Sequence, residues 1–136
     1  MKKDCYKKVE FYLYNYRNLD NMIKEIRTSI IENVSISSYS HLIGKNTVEE
    51  QAIKLADNKK IYKLKKIKQI INDSLKLIKT RNIKRYNFII SKYFNKENPI
   101  DIKKKVGYSE KEQRAITDTV VVFFYKQFKK AGIGGI

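Results

Sequence analysis

One apolar stripe constrains this chain more than any other feature. From Val9 the apolar side chains fall at Val9, Tyr12, Tyr16, Leu19, Ile23, Ile26 and Ile30, in alternating steps of three and four without a miss. Residues so spaced share one face of an α-helix, and sustained 3–4 alternation is the seam of a coiled coil. No Pro or Gly interrupts the first 43 residues, so the backbone does not oppose that helix. The pattern predicts one long helix ending near Glu32 and Asn33. A second stripe runs through Ile61, Leu64, Ile67, Ile71, Leu75 and Ile78, flanked by Ile70 and Leu77. Its helix opens at Thr47-Val48-Glu49-Glu50, where the hydroxyl and the carboxylate three residues later each satisfy an orphaned amide.

Between the stripes, residues 33–46 (NVSISSYSHLIGKN) hold Ser, Asn and Gly with no sustained period and read as a connector. Two seams joined in this way predict a long antiparallel helical hairpin, coiled-coil-like, over residues 1–80. Heptads equally allow the seams to pair between two copies, as a homodimer. Tyr6, Tyr12, Tyr14 and Tyr16 are expected to pack along the seam edges rather than to stack on bases.

Residues 81–136 are expected to form a second, compact unit. Ile83, Tyr86, Phe88, Ile89, Ile90, Tyr93 and Phe94 suit a short, strongly apolar helix. Asn98 then suits an N-cap and Pro99 the first helical position, where a missing N–H costs nothing. The helix from Pro99 to Val106 is expected to turn Ile100, Ile102 and Val106 inward and Lys103, Lys104 and Lys105 outward. Gly107 can take the left-handed conformation that ends a helix, and Ser109 with Glu112 makes another capping box. The helix so begun carries Ile116, Val120, Phe123, Phe124 and Phe128 on one face. Its TVVVFFY run has high β-propensity, but the cap ahead of it and the helical spacing decide for helix. The fold class is all-α throughout, with a tail, Ala131 to Ile136, expected to fray.

Charge narrows the function. Thirty Lys and Arg against fourteen Asp and Glu give +16. Residues 1–46 hold 8 cations and 5 anions, residues 47–80 hold 9 and 4, and residues 81–136 hold 13 and 5. Such a field favours a polyanionic partner, although Lys, Ile and Asn are also what an AT-rich genome supplies. The lone Cys5 excludes an internal disulfide and a cysteine-based zinc site. No apolar run reaches the ~18 residues of a membrane span, and the first residues do not resemble a secretion signal, so a cytoplasmic protein without a membrane partner is expected. His41 stands alone in the connector, the carboxylates lie among lysines, and no glycine-rich phosphate loop is present. No enzyme, cofactor or metal is expected.

A short helix, a glycine-containing turn and a capped second helix follow one another in the order of a helix-turn-helix. That motif sends the first turns of its second helix into the DNA major groove, while the preceding helix crosses the backbone. Arg114 is the candidate for a guanine edge, since its planar fork matches two acceptors. Lys103, Lys104 and Lys105 are candidates for phosphates, and Ser109 for both cap and phosphate. Tyr108, Glu110, Lys111, Thr117 and Asp118 complete the set expected to face double-stranded DNA.

The segment DIKKKVGYSEKEQR resembles the helix-turn-helix of region 4 of bacterial sigma factors through Ile102, Val106, Gly107, Tyr108, Ser109 and Glu110. Lys103 stands where a small residue is usual and Gln113 where an apolar one is. More broadly, the chain resembles small phage transcriptional activators of the RinA and ArpU type. The resemblance runs through Val9 to Leu19, the Thr47–Glu50–Ile53 helix start with Ala52, and Ile89, Ile90, Tyr93 and Phe94 ahead of the helix-turn-helix. It implies promoter binding with RNA polymerase and activation of late or packaging genes, in a phage or prophage of an AT-rich Gram-positive host. The alternative is a small terminase-like protein, which also joins a DNA-binding helix-turn-helix to a helical oligomerisation hairpin.

Overall fold

The computed structural model of the chain describes the backbone of residues 1–29 and 48–136 and the side chains of 1–29 and 58–136. Ile30, the helix end at Glu32 and Asn33, the connector 33–46 with His41, Thr47, and the side chains of Glu50, Ala52 and Ile53 lie outside that description. All regular structure among the described residues is helical, with no strand. Helix α1 is Lys3–Tyr14, followed by a 3-10 turn at Tyr16–Asn18 and by α2 at 19–29. Then come α3 (Val48–Arg81), α4 (Ile83–Ile89) with its π-helical extension Ile90–Phe94, α5 (Pro99–Val106) and α6 (Glu110–Lys130).

The first stripe is not one helix. Asn15 ends α1, its Nδ2 donating to the Phe11 carbonyl at 2.8 Å, the same oxygen its own N–H reaches at 3.0 Å. A short amide side chain competing for helical carbonyls weakens continuation. The next two residues are committed elsewhere. Tyr16 stacks on Phe94, centroids 4.9 Å apart and planes 6° from parallel, while Arg17 donates to the Phe94 carbonyl and to Asn95 Oδ1 at 3.4 and 3.3 Å. The seam divides with the helix.

Two compact units result: Met1–Arg17 with Ile67–Ile136, and Asn18–Lys66. This differs from a cut at residue 80, because α1 packs on α6 and on the π-helical turn. In the Asn18–Lys66 unit, Leu19, Ile23, Ile61 and Leu64 are buried, at the stripe positions. In the larger unit the second stripe continues with Ile67, Ile71 and Leu75 buried, joined by Ser74, while Ile78 is half-buried.

The core of the larger unit draws on every helix in it. Val9 and Leu13 of α1, Phe88, Ile89 and Tyr93 around the π-turn, Ile102 of α5, and Val120, Val121, Phe124 and Phe128 of α6 are almost wholly buried. Each contributes on the order of 1.5–3 kcal/mol relative to exposure. Tyr12 meets Phe128 edge-on at 6.3 Å and Tyr14 meets Tyr93 at 4.6 Å, so these tyrosines pack, as expected. Ile100 is 59% exposed and does not turn inward: Ile102 and the half-buried Val106 form the apolar face of α5.

Polar bonds tie the same junction. The Tyr93 hydroxyl donates to Glu10 Oε2 at 2.8 Å, the Tyr6 hydroxyl to Asp118 Oδ1 at 2.7 Å, and Lys92 Nζ to Thr117 Oγ1 at 2.8 Å. Burial, then the bond to Glu10, pushes the Tyr93 phenol far above its ordinary pKa. Burial lowers that of Lys92, opposed by the nearby Glu10 and Asp118.

The tail does not fray. Gly132 takes φ 78°, its N–H reaching the Lys129 carbonyl at 3.0 Å, and the Ile133 N–H reaches the Phe128 carbonyl at 3.0 Å. That pair of bonds is a Schellman motif, and its hydrophobic follow-through is Ile133, 5% exposed. Ile136 is buried to the same degree, and Lys8 Nζ holds the Gly135 carbonyl at 2.7 Å.

Candidate nucleic-acid interface

Helices α5 and α6 meet through three residues, Gly107, Tyr108 and Ser109. Asn98 caps α5 by accepting from the Asp101 N–H at 2.8 Å, with Pro99 in its first turn. At the other end Gly107 takes φ 87°, ψ 15°, and its N–H returns to the Lys103 carbonyl at 3.0 Å. Any other residue there would carry the strain of the left-handed region. Ser109 Oγ then accepts from the Glu112 N–H, and Glu112 Oε1 from the Ser109 N–H, both at 3.2 Å. The bond from the Ser109 amide holds the Glu112 carboxyl below its ordinary value. The stop, turn and start expected for this stretch are all present.

Tyr108 does not face outward. It is 8% exposed, meeting Phe88 edge-on at 5.7 Å beside Ile102, with half-buried Val106 and Ile116 around them. Lys84 Nζ covers the other side of its ring, 4.4 Å from the centroid.

Thr117 is also removed from the outward set. Its side chain is buried, donating to the Gln113 carbonyl at 2.7 Å and accepting from Lys92. The buried face of α6 is Gln113, Thr117, Val120, Val121, Phe124 and Phe128, so it begins with two polar residues that apolar spacing does not register. Ile116 and Phe123, expected at its centre, are half-buried at its edge.

Gln113 explains its own oddity. Its Nε2 donates to the Pro99 carbonyl at 2.9 Å and the Tyr108 carbonyl at 3.0 Å, clamping the start of α5 to the turn. A glutamine at an inter-helix packing position therefore replaces part of the apolar packing with two hydrogen bonds. The sequence carries the signal as a polar residue where packing between α5 and α6 would take an apolar one.

Glu110, Lys111 and Arg114 are exposed on the first turns of α6 and share a face by their i, i+3 and i+4 spacing. Arg114 makes no hydrogen bond or ion pair among the described residues. Asp118, one turn on, is exposed but committed to Tyr6. On α5, Lys103 and Lys104 are exposed and unpaired among the described residues. Lys105 is bonded to Glu97 Oε1 at 2.6 Å, which raises its pKa. All three sit in the last turn, where cations also complement the helix dipole. Lys84, missed by sequence reasoning, joins the cluster through Tyr108 and lies 3.8 Å from where a Gly107 Cβ would be.

Among the described residues no group of His, Cys, Asp or Glu is arranged to hold a metal ion, and no helix is long and apolar enough to cross a membrane. No protein-family model, curated protein or solved structure matches the chain.

Proposed function

We propose that the protein is a sequence-specific DNA-binding transcriptional regulator, of the phage late-gene activator kind, in which α5, the Gly107–Ser109 turn and α6 act as a helix-turn-helix. One observation carries this reading. A glycine-terminated helix and a capping-box helix, clamped together by Gln113, leave Lys103, Lys104, Lys111 and Arg114 exposed, and unpaired among the described residues, at their junction. Unpaired cations around the start of a rigidly held helix suit phosphates flanking a groove and one base edge inside it. The N-terminal seams would supply an antiparallel hairpin, or a homodimer interface, and RNA polymerase would be the second partner at the promoter.

The site residues now divide by role. Arg114 reads a base; Lys103, Lys104 and Lys111 position on phosphates; Ser109 and Glu112 build the helix start; Tyr108 and Thr117 support from inside. Recovery of genomic DNA bound to the protein should enrich one promoter. On that site Arg114→Ala should cost on the order of 1–3 kcal/mol and relax preference at one position. Neutralising Lys103 and Lys104 should weaken binding to all duplexes and make the slope of log affinity against log salt shallower by about 0.9 for each phosphate no longer neutralised. Equal affinity of Arg114→Ala and the parent for specific and random duplexes would remove the reading-helix assignment. A stable ring of many subunits in solution would favour the packaging alternative.

A further inference from the structure

A groove of about 230 Å³ lies between the end of α3, the start of α4 and the middle of α6. Its apolar wall is Leu77, Ile78, Val120 and Phe123, and its charged residues are Arg81 and Arg85. Among the described residues no Asp or Glu lines it. Arg85 Nε is buried and finds no acceptor among the described residues. That nitrogen is closed to solvent, so what the groove offers is the charge of two guanidinium groups along an apolar wall with no carboxylate beside them among the described residues. An arginine fork matches a planar carboxylate with two parallel bonds. The volume lies below that of drug-sized pockets, so the occupant is small.

We infer that this groove binds a small organic anion, a carboxylate head on a compact apolar body of one or two rings, with the head on Arg81 and Arg85 and the body against Phe123 and Leu77. The chemistry is selective in both directions. An inorganic anion would leave the apolar wall unused, and a neutral ring would leave Arg81 and Arg85 without a counter-charge. The site is distinct from the exposed face of Arg114, and the inference stands independently of the DNA reading. Because Val120 and Phe123 belong to α6, occupancy would bear on the helix whose first turns carry Arg114.

The test is titration of the full chain with 2-naphthoate and with its neutral counterpart, 2-naphthalenemethanol, followed by calorimetry and amide chemical shifts. Naphthoate should bind with a dissociation constant on the order of 1 mM or tighter, from the ordinary efficiency of small ligands, shifting the amides of Thr119 and Phe123. The alcohol should bind at least about tenfold more weakly, as should naphthoate to Arg81→Gln or Arg85→Gln, for loss of a charge-assisted bond. Lys104→Gln, with the same change in net charge, should leave the affinity unaltered, and unchanged melting curves confirm that each variant folds. Equal binding of acid and alcohol overturns the inference, as does equal loss in Lys104→Gln, which would mean a general field. Absence of naphthoate binding overturns it as well. If in that case the arginine variants weaken DNA binding, the pair is a phosphate contact instead.

Discussion

The turn between α5 and α6 and the junction of α1, the π-helical turn and α6 are both held by hydrogen bonds to named side chains, but over very different distances along the chain. At the turn, Asn98 bonds Asp101, Ser109 bonds Glu112, and Gln113 bonds the carbonyls of Tyr108 and Pro99, separations of 3, 3, 5 and 14 residues. At the junction, Lys92 reaches Thr117, Tyr93 reaches Glu10, and Tyr6 reaches Asp118, separations of 25, 83 and 112. Local bonds are written in the spacing of the residues that make them. Distant ones depend on which helix lands beside which, and spacing carries no record of that.

The contrast can be broken from the distant side first. Tyr93→Ala should cost about 3–5 kcal/mol, as for other large aromatic residues removed from a core. Hydrogen exchange at the α1 amides of Val9 and Leu13 should accelerate with it. Protection of those amides that survives Tyr93→Ala would show that α1 docks without the junction. Gly107→Ala, a local change, should cost about 1–2 kcal/mol from the left-handed backbone, read by denaturant unfolding, and leave α1 protection in proportion to global stability. Ser109→Ala should cost about 1 kcal/mol as a lost N-cap.

The smallest expected effect depends on pH. The Ser109 amide holds the Glu112 carboxyl below its ordinary value, so the charged cap stabilises above the ordinary Glu pKa of about 4.3 and that contribution disappears as pH falls through the lowered folded value. The melting gap between the parent and Glu112→Gln should be present at neutral pH and close in acid. A gap that widened on acidification would mean that the cap favours the protonated carboxyl instead.

The same contrast explains what the sequence disclosed. The all-α class, the α5 limits at Pro99 and Val106, the left-handed Gly107 and both caps around it follow from residue type at fixed offset. The burial of Ile61, Leu64, Ile67, Ile71 and Leu75 follows from period. The break at Asn15 was hidden because the apolar steps continue across it, while Tyr16 and Arg17 are claimed by Phe94 and Asn95. Helical position alone leaves Thr117 outward, and nothing near Tyr108 in the chain turns its ring inward. Phe88 and Lys92, far enough off in sequence to be invisible, claim them for the inside. A glycine-rich tail reads as loose until Ile133 and Ile136 are seen to have a core to enter.

The larger unit is built from two separated pieces of chain, residues 1–17 and 67–136. In folding terms, residues 18–66 are an insertion inside it, and docking of α1 must close that excursion. Closure entropy grows only logarithmically with length, so halving or doubling the excursion changes its cost by about 0.6 kcal/mol. The length of the intervening segment is therefore a minor term in bringing α1 back to α6.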